Sequence, residues 1–219
     1  VRHQPIQSLE DVRNCRLSDK RIWLRILDPT SNKRSLSTSS QRILRMYQEW
    51  LQHATPFVSM NPKLPWAGEA AADACAHGNS CQVGGFLCFT NGDMRWFSEQ
   101  WSPADFLALD ISVNSDMQKD ISSYETFAQF CLLYSLCYFL PGQRVSITLK
   151  SLSDNTAAEA NSNFLFTTKA PLCYFVERLC MLISTVHAEL DVSHIAGHSN
   201  DFADRISRLP LEDQIGRAH

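Results

Sequence analysis

The spacing of apolar residues changes several times along this chain, and each change marks a predicted element. Residues 1–35 are polar and basic apart from one apolar knot, Ile22-Trp23-Leu24 with Ile26-Leu27, which Asp28-Pro29 stops. Ile43, Met46, Tyr47, Trp50 and Leu51 then recur at helical spacing, predicting a helix that runs to about His53 with Ser39 or Ser40 as its cap. Pro56, Pro62 and Pro65 read as an extended connector and as the clearest domain boundary in the chain. Beyond it, residues 69–75 and 83–90 predict two strands, Asn91-Gly92-Asp93 a hairpin turn, and residues 94–97 a third strand. Residues 98–120 give no clear pattern. A helix follows over about 123–140, ended by Pro141-Gly142, then a strand over 144–152 with Val145, Ile147 and Leu149 on one face. A second apolar helix over 171–185, a strand over 188–195 and a short helix over 201–209 complete the chain. The order β-β-β-α-β-α-β-α starts as a hairpin meander and continues through crossovers. It predicts an α/β fold with a mixed five-stranded sheet and flanking helices.

Composition narrows this picture. With 219 residues, 44% of them apolar and 20% charged, the chain has the balance of a folded soluble protein and room for one full domain plus an extension. The longest uncharged apolar stretch, residues 127–140, is too short to span a bilayer and contains Gln129, so a buried helix is expected rather than a membrane segment. Residues 1–20 lack the apolar run of a signal peptide. The chain starts at Val1, as a piece of a longer protein would. Its eight cysteines form no CxxC pair and no zinc-spaced cluster with histidine, which points to reduced, buried thiols and an intracellular setting (cytoplasm or nucleus). The net charge of -3 conceals an asymmetry: residues 1–66 carry 11 Lys/Arg against 5 Asp/Glu, and residues 67–219 carry 9 against 18. A basic extension joined to an acidic domain suits a nucleic-acid enzyme, one part holding phosphates and the other holding cations. A solvated basic helix without a ligand would give the same count.

Four acidic residues mark the candidate chemistry. Asp73 closes the first predicted strand, Glu125 opens the long helix, Asp154 follows the fourth strand, and Asp204 lies on the last helix. Two divalent cations held close together need several carboxylates converging from different elements, and magnesium prefers such hard oxygen ligands.

The motifs around these acids carry a resemblance. Asp73-Ala-Cys with Gly84-Gly85, Tyr124-Glu125-Thr-Phe-Ala128, Ser153-Asp154-Asn155, and the closing run His194-Ile-Ala-Gly197-His-Ser-Asn200-Asp-Phe-Ala203-Asp204-Arg-Ile-Ser207-Arg208 occur in order. Together they resemble the ribonuclease H domain of retrotransposon reverse transcriptases, of the long-terminal-repeat or DIRS type. The final Gly-x-x-Asn-x-x-Ala-Asp-x-x-Ser-Arg stretch is the most specific part, and Ser98 to Pro103 also looks like the family's segment after the third strand. The resemblance implies a ribonuclease H-like domain over residues 64–210, with residues 1–63 as a basic connection segment after a polymerase. It also implies hydrolysis of the RNA strand of an RNA/DNA hybrid, with Asp73, Glu125, Asp154 and Asp204 holding two Mg2+ ions, or Mn2+. His194 would assist product release, and Asn155 would bond the nucleic-acid backbone or a 2′-hydroxyl. Expected partners are the hybrid and the polymerase domain of the same polyprotein, and no membrane.

Each residue also has a plainer reading. Asp73, Asp154 and Asn155 could be turn residues, and His194 a structural strand-end histidine. Glu125 stands three residues after Ser122, the spacing of a capping box. Asp201 competes with Asp204, with Asn200 as the cap of the last helix. The loop between Asp73 and Gly84 is longer than the family's and residues 104–120 are expanded, which bears on substrate contacts. A catalytically inactive, connection-type domain bracing a polymerase is the alternative function. A proofreading exonuclease is disfavoured because Cys75 stands where a second acid would be needed, and an integrase because the Ser-Arg ending belongs to the ribonuclease H pattern. Residues 211–219 form a tail whose last six, 214–219, match what a common sequencing adapter encodes.

Overall fold

The computed structural model describes residues 38–53, 63–139, 147–186 and 188–210. The apolar knot at 22–27, Pro56 and Pro62 of the connector, the helix stop at Pro141-Gly142 and the tail at 211–219 lie outside them. The chain divides into two compact units, residues 1–49 and 50–219, and the sheet belongs entirely to the second. The elements are α1 (Thr38–His53), β1 (Leu64–Pro65), β2 (Glu69–His77), β3 (Ser80–Cys88), β4 (Met94–Trp101), α2 (Pro103–Ala108), α3 (Ile121–Phe139), β5 (Ile147–Ser153), α4 (Thr156–Phe164), α5 (Leu172–Val186), β6 (Glu189–His194) and α6 (Asp201–Ser207). Helix α1 starts at Thr38, ahead of both serines expected to cap it.

Strand β2 pairs antiparallel with β3, and β3 antiparallel with β4, whereas β2 with β5 and β5 with β6 are parallel. Thr148 is paired on both sides, by Pro65 and Glu189, and Leu152 by Ala71 and Ser193. Short β1 and β2 therefore follow one another along one edge of β5, and β6 takes the other. The long strands lie in the order β4-β3-β2-β5-β6. This is the expected mixed sheet with flanking helices, with six strands rather than five because short β1 adds to the edge of β5; β2 is at the centre of the long strands.

The sequence of β2 explains that position. Residues 70–76 are all buried, so both faces of the strand are covered, and five of the seven are alanine. Ala70, Ala72, Ala74 and Ala76 join the main core with Leu132, Leu133 and Leu136 of α3. The opposite face, carrying Asp73 and Cys75, meets the end of α6, where the Cys75 thiol donates to the Ser207 carbonyl at 3.1 Å. Alanine side chains let both helices approach closely, and a larger residue there would hold one of them off.

The stretch without a readable pattern, 98–120, is organised by aromatic packing. Phe106 of α2 is fully buried, with the rings of Trp101, Tyr124, Phe127 and Phe175 at 5.2, 5.7, 5.4 and 5.3 Å. A capping box starts α2: the Asp105 amide donates to the Ser102 hydroxyl, and the Ser102 amide donates back to the Asp105 carboxylate, with Pro103 in the first turn. Strand β4 runs four residues further than its apolar pattern indicated, and β3 starts three residues earlier. Helix α4 was not legible in the pattern at all; Asn155 caps it, its Oδ1 accepting from the amides of Ala157 and Ala158 at 3.0 Å each.

Among the described residues no helix is long and apolar enough to cross a membrane. Their cysteines are all free: Cys75, Cys81 and Cys173 are buried as expected, and Cys180 is exposed.

Candidate active site

The register of the sheet brings Asp73 and Asp154 together. Asp73 stands in the middle of β2 opposite Gly84, rather than at the strand's end as the apolar pattern suggested, because the ladder continues to His77. Two residues before it, Ala71 pairs with Leu152; two residues after Leu152, the chain leaves β5 and places Asp154 beside Asp73. Beyond Ala71 the edge of β2 is no longer paired with β5, and there the amide of Ala74 donates to Glu125 of α3. Asp73, Glu125 and Asp154 each offer a carboxylate oxygen, and these three oxygens lie within 4.8 Å of one another.

The capping-box reading of Glu125 fails on position. Helix α3 begins at Ile121, so Ser122 lies inside the helix, where its carbonyl accepts from the Thr126 hydroxyl. Glu125 is instead buried, and its Oε2 has no hydrogen-bond partner. Burial first, then the charges of Asp73 and Asp154, push its carboxyl up to about 9, against the pull of the Ala74 amide. Asp73 is buried as well. Burial raises its carboxyl to about 6, opposed by a hydrogen bond from Ser207 and aided by the charges of Asp154 and Asp204. A buried carboxylate oxygen without a donor is costly unless it takes a proton or a cation meets it. All the donors here are hard oxygens, the set that magnesium or manganese takes. The residues present therefore fit a divalent metal.

Asp204 stands beside this group rather than within it. Its charge raises Asp73, but its Oδ1 accepts both Nε and Nη2 of Arg208, at 2.8 and 2.5 Å. Its rival, Asp201, is exposed and paired with Arg205 at 2.9 Å, one turn along the surface of α6. Asn200 occupies the N-cap position of α6 without making the expected side-chain cap; its amide is buried with neither atom partnered. His194 ends β6, and its Nε2 lies 3.1 Å from the Asp154 carbonyl, which can only accept, so this nitrogen carries the proton. Asn155, the cap of α4, follows the cluster directly.

Two residues that sequence reasoning left without a role also shape the site. Ser207 donates its hydroxyl to Asp73 Oδ2 at 2.6 Å. Gly84 makes room for that bond, because a Cβ there would lie 2.4 Å from the Ser207 amide nitrogen. Both stand in the motifs quoted above, which was the available signal, but only the fold makes them neighbours.

No family model matches the chain, and no curated protein does. Solved structures do. Ribonuclease H1 from the halophilic archaeon Halobacterium salinarum NRC-1 is 17% identical, with a TM-score of 0.49 over 67% of this chain and 98% of its own. LC11-RNase H1, solved in complex with an RNA/DNA hybrid, is 14% identical, with a TM-score of 0.47 over 67% and 97%. The foamy viral protease-reverse transcriptase, also in complex with an RNA/DNA hybrid, is 12% identical, with a TM-score of 0.36 over 96% of this chain and 29% of its own. Strand order, pairing directions and the flanking helices make the architecture described here ribonuclease H-like.

Proposed function

We propose that this chain hydrolyses the RNA strand of RNA/DNA hybrids with divalent metal, as the ribonuclease H domain of a retrotransposon reverse-transcriptase polyprotein. One observation carries the reading: three carboxylates from three separate elements converge in a buried cluster, and one of their oxygens, Glu125 Oε2, has no donor. A purely structural domain gains nothing from gathering like charges where water is scarce.

When bound, Mg2+ or Mn2+ would supply an activated water and compensate charge on the phosphate and leaving oxygen. The chain's own residues do the rest. Asp73 and Asp154 would hold the cations, and Glu125, anchored by the Ala74 amide, would offer them its carboxylate. Asp204, paired with Arg208, would complete the donor set. The Arg208 guanidinium beside it is a group that recognises phosphate well. His194 is tied through Nε2 to the main chain of Asp154, leaving Nδ1 to accept or carry a proton near departing product. Asn155 spends its oxygen on the cap of α4, so its NH2 group is the donor left for a sugar-phosphate backbone or 2′-hydroxyl. The expected setting is intracellular, with the polymerase domain as covalent partner.

The test uses the purified 219-residue chain, labelled hybrid, duplex RNA and duplex DNA, with magnesium or chelator. The expected result is cleavage of hybrid RNA only, leaving 5′-phosphate and 3′-hydroxyl ends, and only with metal. Asp73→Asn and Asp154→Asn should abolish turnover and keep hybrid binding. Hybrid binding without turnover in the wild type would instead support a domain that only braces a polymerase.

A further inference from the structure

The C-terminal end of α6 is tied to the sheet by three side-chain hydrogen bonds. The Cys75 thiol donates to the Ser207 carbonyl, the Ser98 hydroxyl to the Ile206 carbonyl at 2.9 Å, and the Gln82 side-chain amide to the Leu209 carbonyl. These donors come from β2, β4 and β3, and they satisfy carbonyls at the C-terminal end of α6, where a helix cannot satisfy its own. Gly84 fixes the approach distance, since any Cβ would meet the Ser207 amide at 2.4 Å and the Ile206 carbonyl carbon at 2.7 Å. The main chain at residue 207 is therefore held in place without help from the Ser207 side chain.

That leaves the hydroxyl with a separate task. Its single proton has two acceptors in reach, Asp73 Oδ2 at 2.6 Å and the Asp204 carbonyl at 2.9 Å. The shorter, charge-assisted bond goes to the carboxylate. Both groups are buried. Because α6 is keyed to the sheet by other contacts, the hydroxyl cannot follow the carboxylate, and the carboxylate must follow the hydroxyl.

We propose that Ser207 is a positioning residue of the carboxylate cluster: its hydroxyl binds Oδ2 of Asp73 and so fixes the plane of the carboxylate that meets Glu125 and Asp154. The inference rests on the cluster being a divalent-cation site. A ligand oxygen fixed before the cation arrives loses no rotamer freedom on binding, which is how groups behind a metal's ligands commonly raise affinity. Gly84 belongs to the same device, as the position that lets α6 approach closely enough to deliver the hydroxyl.

The experiment is calorimetric titration of the full chain with Mn2+, without nucleic acid. Ser207→Ala should weaken Mn2+ binding by about tenfold. In chelator the variant should still unfold cooperatively, at a somewhat lower urea midpoint for the lost bond to Asp73, because the three hydrogen bonds to the main chain of residues 206–209 remain. If Ser207→Ala does not unfold cooperatively, Ser207→Cys, nearly the same size but a much poorer donor, takes its place and should show the same loss of affinity. A folded variant that binds Mn2+ as tightly as the wild type overturns the proposal. A wild type that does not bind Mn2+ at all overturns the cation-site reading, and this inference with it; the two failures are told apart by the wild-type titration alone.

Discussion

Glu125→Gln offers the most direct measure of what the cluster costs the fold. Folded, Glu125 holds its proton up to about pH 9; unfolded, it releases it near the ordinary value of 4.5. Between those limits the folded chain binds a proton that the unfolded chain has shed. Stability is therefore undiminished below about pH 4.5, falls as pH rises, and levels off only above about pH 9. At about 1.4 kcal/mol per unit, the full penalty at pH 8 is about 5 kcal/mol. Asp154 is only half-buried and opens the cluster to water. Solvent there screens the charges, leaving about 2–3 kcal/mol as the expected cost. Glutamine has no charge to bury, keeps an oxygen for the Ala74 amide, and presents NH2 to the carboxylates of Asp73 and Asp154. In chelator at pH 8, Glu125→Gln should therefore unfold at a urea concentration about 1 M higher than wild type. At pH 5 the two midpoints should nearly converge. With excess magnesium the gap should narrow or close, because the wild type gains about 2.7 kcal/mol when the ion reaches a hundred times its dissociation constant, and the variant gains less. A variant less stable than wild type in chelator at pH 8, or a difference that does not shrink at pH 5, would refute the account of Glu125 as a buried acid awaiting a cation.

Other outcomes follow from particular contacts. Gly84→Ala forces α6 away from β3 and should cost about 1–3 kcal/mol in urea unfolding, together with most of the hybrid cleavage; near-wild-type activity would show that the approach is not needed. Phe106→Ala removes the ring that four other aromatics surround and should cost about 3–5 kcal/mol, so a loss under about 1 kcal/mol, the size of a surface change, would contradict its central place. Deleting residues 1–55 should flatten the salt dependence of hybrid binding, since fewer counterions are released, while turnover at saturation survives. An unchanged slope would mean that the basic segment does not touch nucleic acid.

How far the sequence alone reached depended on whether the signal was local. The Asn91-Gly92 turn was legible because a hairpin there needs left-handed backbone, and Gly92 has a φ of 87°. Helices α3 and α5 were legible because long apolar runs bounded by breakers have few other uses. The four acids were found through ordered motifs, and three of them meet. What the sequence could not decide were choices made by distant partners. Asp73 looked like a strand end because the ladder that carries β2 on to His77 is supplied by β3, not by an apolar repeat. The stretch 98–120 took its form from rings on α3 and α5, and the capping box of Ser102 and Asp105, although local, was hidden beside it. Asn155 became a cap because α4 packs where it does. Asp204 is bonded to Arg208, one turn along its own helix, and stands beside the other three acids rather than among them. Ser207 acquired its role only when the fold brought it against Asp73, 134 residues away in the chain. Local backbone preference and apolar period are written residue by residue. A carboxylate's second oxygen, its burial and its hydrogen-bond donor are set by tertiary packing, and those settings decide whether four acids make a metal centre.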